Sequence, residues 1–99
     1  MRIIARRTLR EFWDQRSHRD AEHPLRAWFA EARRAAWRTP TDIKAAYRNA
    51  SFVGNDRVVF NVGGNKYRLV VAVKYSAQLV FVRFVGTHAD YDKIDAGEV

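Results

Sequence analysis

Apolar positions recur along the chain with two periods, three to four residues in the first half and two in the second. Arg2 to Ala5 is a short apolar run suited to one strand. Thr8 and Glu11 have the spacing of a capping box, which predicts a helix from about Thr8 to Gln15 with Leu9, Phe12 and Trp13 on one face. The charged stretch His18 to His23 breaks that pattern, and Pro24 suits the first turn of a second helix running to about Trp37. Leu25, Trp28, Phe29, Ala32 and Ala36 make its apolar stripe, leaving Arg26, Arg33, Arg34 and Arg38 wet. Thr39 to Asp42 ends it, and Ile43 to Tyr47 has room for one short helical turn.

From Ser51 the residues become β-branched and aromatic. Val58, Phe60 and Val62 alternate with Arg57, Val59 and Asn61, which predicts a strand from Arg57 to Val62. Gly63-Gly64-Asn65 supplies a tight hairpin turn to a second strand, Tyr67 to Lys74, whose Leu69, Val71 and Val73 face the helices. Tyr75 to Gln78 turns the chain back into a third, Leu79 to Val85, with Val80, Val82 and Phe84 facing the core. The tail holds one helical turn capped by Thr87. The expected fold is therefore α/β of the α+β kind, in the order β-α-α-β-β-β with a short C-terminal turn, as a single domain over residues 1–99.

Composition narrows the classes. Ninety-nine residues make one small core, and an apolar share of 47% is enough to fold it. Eighteen Lys and Arg against eleven Asp and Glu give +7. Four acids and one base lie in the last ten residues, so residues 1–89 carry a net +10, which favours a polyanionic partner. The absence of cysteine removes disulfides, thiolate zinc sites and cysteine nucleophiles, and fits a reducing cytoplasm. No apolar run is long enough for a signal peptide or a membrane span, so a cytoplasmic location is expected.

If the first hairpin closes with two residues, Asn61 lies opposite Arg68; if the second closes over Ser76-Ala77, Lys74 lies opposite Leu79 and Val70 opposite Arg83. Asn61, Arg68, Lys74, Phe81 and Arg83 then share the sheet face away from the helices, with Arg68 and Arg83 as diagonal neighbours. A face with several cations, one aromatic ring and no acid suits a phosphate backbone and a stacked base; the plain alternative is a solvated face of an antiparallel sheet. His88 and Tyr91 fall on one side of the C-terminal turn. His18, His23 and His88 lack metal-ligand spacing, the three Trp sit at core spacing, and Gly63-Gly64 opens no helix, so neither a metal nor a small-molecule cofactor is expected.

Six blocks, Leu9–Trp13, Pro24–Trp28, Thr39–Lys44, Arg57–Asn61, Tyr67–Ala72 and Val82–Asp92, resemble the HigB toxins of bacterial toxin–antitoxin pairs, within the RelE-like superfamily. The likeness covers nearly the whole chain, and Arg83 to Tyr91 is its most specific part. It implies an mRNA interferase, an endoribonuclease acting as mRNA occupies the ribosome, restrained by a HigA-like helix-turn-helix antitoxin. It also implies two N-terminal helices on an antiparallel-dominated sheet. The family's site roles would fall to Lys66, Arg68, Arg83, His88 and Tyr91, with Asn61, Lys74 and Phe81 extending the RNA surface. In this chain Gly63 stands where the family often has Lys, and Lys66 where it often has an acid or polar residue.

Metal-independent RNA cleavage needs the ribose 2′-OH activated, the phosphorane charge stabilised and the 5′-oxygen protonated. Arg68 and Arg83 offer bidentate donors to phosphate oxygens. Histidine titrates closest to neutrality among side chains, which makes His88 the candidate acid or base. Tyr91 can stack on a base or donate its phenolic proton. A basic RNA- or DNA-binding module without catalysis, or an interaction protein using its arginines on an acidic partner, would share the same charge and sheet.

Overall fold

In the computed structural model, which describes residues 1–99, β1 (Arg2–Ile4) runs almost directly into α1 (Arg6–Trp13). Leu9, Phe12 and Trp13 are all buried, as their spacing predicts. The helix starts earlier than the capping box implied. Extended Ala5 is the N-cap, and Thr8 lies exposed within the first turn. The Thr8 amide donates to the Ala5 carbonyl at 3.2 Å, which places Thr8 inside the first turn rather than at its cap.

The charged stretch winds into a 3₁₀ segment (Arg16–Ala21) anchored by fully buried Ala21. It leads into α2 (Glu22–Arg34), where Pro24 occupies the first turn and its missing N–H has no partner to lose. This helix ends at Arg34 rather than Trp37. Ala35 turns extended, so Ala36 is exposed instead of joining the stripe, while Trp37 is buried from a non-helical segment 6.3 Å from the Phe60 ring. α3 (Pro40–Ala46) is longer than the turn expected. Thr39 Oγ1 accepts from the Asp42 amide at 3.4 Å, and an Asp42 carboxylate oxygen accepts from the Arg38 amide at 2.9 Å.

Five strands form the sheet, one more than the alternation showed: β2 (Ser51–Val53), β3 (Arg57–Val62), β4 (Tyr67–Lys74) and β5 (Leu79–Thr87) join β1 in the order β1-β5-β4-β3-β2. β1 pairs parallel with β5, and every other pair is antiparallel. β2 is an edge strand of three residues. It turns into β3 through Asn55 and Asp56, both at positive φ, +61° and +59°, the conformation that tight hairpins favour.

The first hairpin has the expected register, Asn61 opposite Arg68, with positive φ at Gly63 and Gly64. The second begins as expected, Lys74 opposite Leu79, and then departs from it. Val71 pairs with Val82 but Val70 pairs with Phe84, so Arg83 is the extra residue of a β-bulge. Three expectations change with it. Val70 faces Phe84 rather than Arg83; the diagonal neighbour of Arg68 on β5 is Phe84; and Phe84 leaves the core face.

The main core lies between the helices and the sheet, built on Leu9, Leu25, Trp28, Phe60, Tyr67 and Leu69 among others. A smaller cluster occupies the opposite face. Val59, Val70 and Ala96 are buried there, with Phe84, Tyr91, Ile94 and Val99 packed around them. The chain after α4 (His88–Tyr91) thus folds back over the sheet, tied by Arg57 donating to the Val99 carbonyl at 2.7 Å and Asn55 donating to the Gly97 carbonyl at 2.7 Å. The face expected to be open and free of acids is partly covered by an acidic tail. No helix is long and apolar enough to cross a membrane.

Candidate functional site

Three features meet at one end of the sheet: the β3–β4 hairpin, the last residues of β5, and α4. Thr87 caps α4 by accepting from the Asp90 amide at 3.1 Å, as its position predicted. The His88 amide donates to the Lys66 carbonyl at 3.3 Å, which holds the start of α4 against the hairpin. Gly86 faces Arg68 across the ladder, and a Cβ there would sit 2.6 Å from the Phe84 ring. Only glycine lets that ring lie along the strand beside α4.

Arg68 is half-buried with Asn61 on one side and Gly86 on the other. Its Nη1 donates to the carbonyls of Asn65 and Tyr67 at 3.0 and 3.2 Å, so the hairpin backbone fixes the guanidinium while no carboxylate neutralises it. Asn61 Nδ2 donates to Asn65 Oδ1 at 3.4 Å. His88 is exposed, with Nδ1 3.1 Å from an Asp92 carboxylate oxygen one helical turn later, while Nε2 has no protein partner. A carboxylate on one ring nitrogen orients the imidazole and leaves the other nitrogen free to meet a ligand. Tyr91 packs its ring against the Val59–Val70–Ala96 cluster, and its hydroxyl makes no protein hydrogen bond.

Lys66 stands differently. Its ammonium pairs with Asp20 of the 3₁₀ segment, and the Tyr67 hydroxyl donates to the other oxygen of the same carboxylate. The hydrogen bonds from Lys66 and then Tyr67 hold the Asp20 carboxyl below its ordinary range, and the Asp20 hydrogen bond raises the Lys66 ammonium. Burial, then Asp20, pushes the Tyr67 phenol up. Beside this group His18 stacks on Phe12 at 4.2 Å and meets the Tyr67 ring edge-on at 5.9 Å.

The remaining candidates spread along the sheet. The Arg83 guanidinium lies 5.7 Å from the Phe81 ring, in the middle of β5. Lys74 is exposed at the far end of β4, six residues from Arg68 and so about 20 Å along the strand. The structure therefore gathers Asn61, Lys66, Arg68, His88 and Tyr91 at one end, sets Arg83 and Phe81 along the approach, and leaves Lys74 apart. Asp92 and Asp20 are the partners that sequence reasoning missed. Asp92 was visible as the residue four after His88; Asp20 is 46 positions from Lys66, and nothing local joins them.

Residues 21–94 match the HigB_toxin family, described as the RelE-like toxic component of a toxin–antitoxin system. Among curated proteins, the chain is 38% identical over 58 residues to the mRNA interferase toxin HigB of Escherichia coli strain K12, and equally to the mRNA interferase HigB of Shigella flexneri. A further mRNA interferase HigB, from Escherichia coli O6:H1, is 31% identical over a segment of the same length. Each match covers 57% of this chain and 56% of the relative, so the chain spans about half the length of the curated relatives it matches. With the family pattern running from the end of the 3₁₀ segment through α4, across the hairpin and every strand from β2 to β5, the chain belongs to the HigB toxin family.

Proposed function

We propose that this protein is the toxin of a type II toxin–antitoxin pair, an endoribonuclease that cleaves mRNA on the ribosome without a metal, in the cytoplasm, and that a helix-turn-helix antitoxin of the HigA kind restrains it. Family membership and the names of the relatives support the class of activity. The observation that carries the site is the pairing of an un-neutralised, backbone-fixed Arg68 with a carboxylate-oriented His88 across the same end of the sheet.

In this reading Arg68 receives the scissile phosphate. Its guanidinium is pre-set by the hairpin carbonyls, so little reorganisation is needed as charge builds on the phosphorane. Arg83 binds a neighbouring phosphate along β5, and Phe81 and Asn61 contact the strand on either side. His88 moves the proton between its free Nε2 and either the 2′-OH or the departing 5′-oxygen, while Asp92 holds the ring. The Tyr91 hydroxyl carries the other transfer, so that one group takes the 2′-OH proton while the other gives a proton to the 5′-oxygen. Lys66, tied to Asp20, contributes field and hairpin geometry. The exposed position of the site fits a reaction completed on a larger RNA surface, where the ribosome supplies what a small sheet lacks.

Expression of the chain alone is expected to arrest growth and fragment mRNA, and coexpression of the antitoxin encoded beside it to relieve both. Soluble, folded protein with intact transcripts and unimpaired growth would overturn the reading. Salt-dependent RNA binding without cleavage on programmed ribosomes would favour a binding module instead.

A further inference from the structure

The helical layer carries a second charged surface on the other side of the molecule from β4 and α4. Arg6 of α1 and Arg26, Phe29, Ala30 and Arg33 of α2 line a groove of about 370 Å³. It continues along α2, past Phe29, Ala30 and Arg33 to Arg34, as a second hollow of about 380 Å³. The lining residues of α2 fall three and four apart, a stripe of their own beside the buried Leu25–Trp28–Ala32 stripe. The Arg6 guanidinium lies 5.5 Å from the Phe29 ring and that of Arg26 lies 4.8 Å from the Trp13 ring.

The acids that could neutralise this stripe are engaged or scarce. Glu22 pairs with Arg26 at 2.8 Å, and Glu31, on the same helix, accepts from the Tyr47 hydroxyl at 2.6 Å. Arg6, Arg33 and Arg34 form no ion pair, whereas Arg7 of α1 has Glu11. A stacked guanidinium keeps its N–H edge directed outward, in the geometry that accepts a carboxylate.

We propose that this groove docks an acidic amphipathic segment of a partner protein, with its carboxylates on Arg6, Arg33 and Arg34 and an apolar side chain against Phe29. Two features favour a protein segment over nucleic acid. Trp13 is buried and a guanidinium lies over one face of Phe29, so neither ring offers an open platform for stacking a base, while the rest of Phe29 and Ala30 line the hollow where an apolar side chain can sit. The surface is a hollow with an apolar floor between two helices, which suits a side chain anchored inside a polar rim. A segment held there leaves the sheet face free, so the inference stands whether or not the chain cleaves RNA.

The probes are a synthetic twelve-residue peptide of repeating Glu-Glu-Leu-Leu and a single-stranded RNA of twelve nucleotides, each titrated into ¹⁵N-labelled protein. The peptide is expected to shift the amides of Phe29, Ala30 and Arg33. Arg33→Glu/Arg34→Glu, or Arg6→Glu alone if the double variant fails to fold, is expected to weaken the peptide about tenfold or more. Arg19→Glu/Arg48→Glu, which makes the same charge change as the double variant elsewhere on the surface, is expected to cost less than about threefold. The RNA is expected to shift β4 and β5 instead. Peptide shifts on the sheet face, equal losses in both double variants, no peptide binding, or RNA held by the groove would each overturn the proposal.

Discussion

Arg68 and Lys66 show how little of a basic side chain's role follows from its charge. Both flank the same hairpin, yet Arg68 is held by two carbonyls with its charge un-neutralised, and Lys66 is tied to Asp20. Arg68→Lys keeps the charge and loses the fork, so single-turnover cleavage on programmed ribosomes is expected to fall at least about tenfold, or ~1.4 kcal/mol of transition-state stabilisation, with an unchanged melting temperature. His88→Ala is expected to slow the same step by about 10²–10⁴ while ribosome affinity is kept; a stable variant cleaving at the wild-type rate would remove His88 from the site. Tyr91→Phe retains the ring's packing, so its expected rate loss, about tenfold, reports the hydroxyl alone. Because folding lowers the Asp20 pKa, the Asp20–Lys66 contact stabilises the fold above the ordinary carboxylate value of 3.8 and is lost as pH falls through the lower folded value. Folding raises the Lys66 pKa, so the upper limit lies above 10.5. The melting temperature of Asp20→Asn is therefore expected to lie below wild type at neutral pH and to converge with it only in strong acid. Both side chains are more than half exposed, so solvent screening keeps the difference small, and a gap that persisted unchanged below that range would refute the linkage.

At the scale of elements, the β5 bulge decides what the sheet can present. β1 pairs with β5 only as far as Phe81, so the stretch that follows is an edge, and the bulge at Arg83 bends it. The same irregularity moves Phe84 off the core face and onto Val59 and Val70, where the C-terminal tail closes over it. Gly86 makes this possible. Gly86→Ala places a methyl group 2.6 Å from the Phe84 ring and 3.2 Å from Asp90 Cβ, forcing the ring or α4 to move. The expected cost is about 1–3 kcal/mol in denaturant unfolding, accompanied by loss of cleavage as His88 shifts. A variant with wild-type stability and rate would show that α4 does not depend on this contact.

For the molecule as a whole, the charge is segregated. The helical layer and β4–β5 carry the basic excess, and the acids after Thr87 lie at the site's margin and over the sheet, where Asp92 serves His88. RNA affinity is expected to fall linearly on a log–log plot against salt, by about 0.7 per phosphate contacted on a single strand, and Arg68→Ala to reduce that slope by about one contact. A slope unchanged by this substitution would place the phosphate contact elsewhere.

Local pattern determined much of this protein. The buried triplet Leu9-Phe12-Trp13, the alternation of β3 and β4, the glycine turn that puts Asn61 opposite Arg68, and Thr87 capping α4 are all legible because each depends on residues within one turn or one hairpin. So is the family resemblance, whose most specific stretch, Arg83 to Tyr91, lies within the residues that match the family. Asn55-Asp56, two residues tolerant of positive φ, was the sign of β2 that the alternation alone did not reveal. Tertiary packing decided the rest. Whether β5 bulges depends on Phe84 finding Val59, Val70 and Ala96, and whether the sheet face is open depends on a tail held by Arg57 and Asn55, each 42 residues from its partner. The ion pairing of Lys66 depends on Asp20, brought to it only when the 3₁₀ segment packs on the hairpin. Contacts at such separations leave no period in the sequence, because their energy is gained only after the elements have already formed and docked.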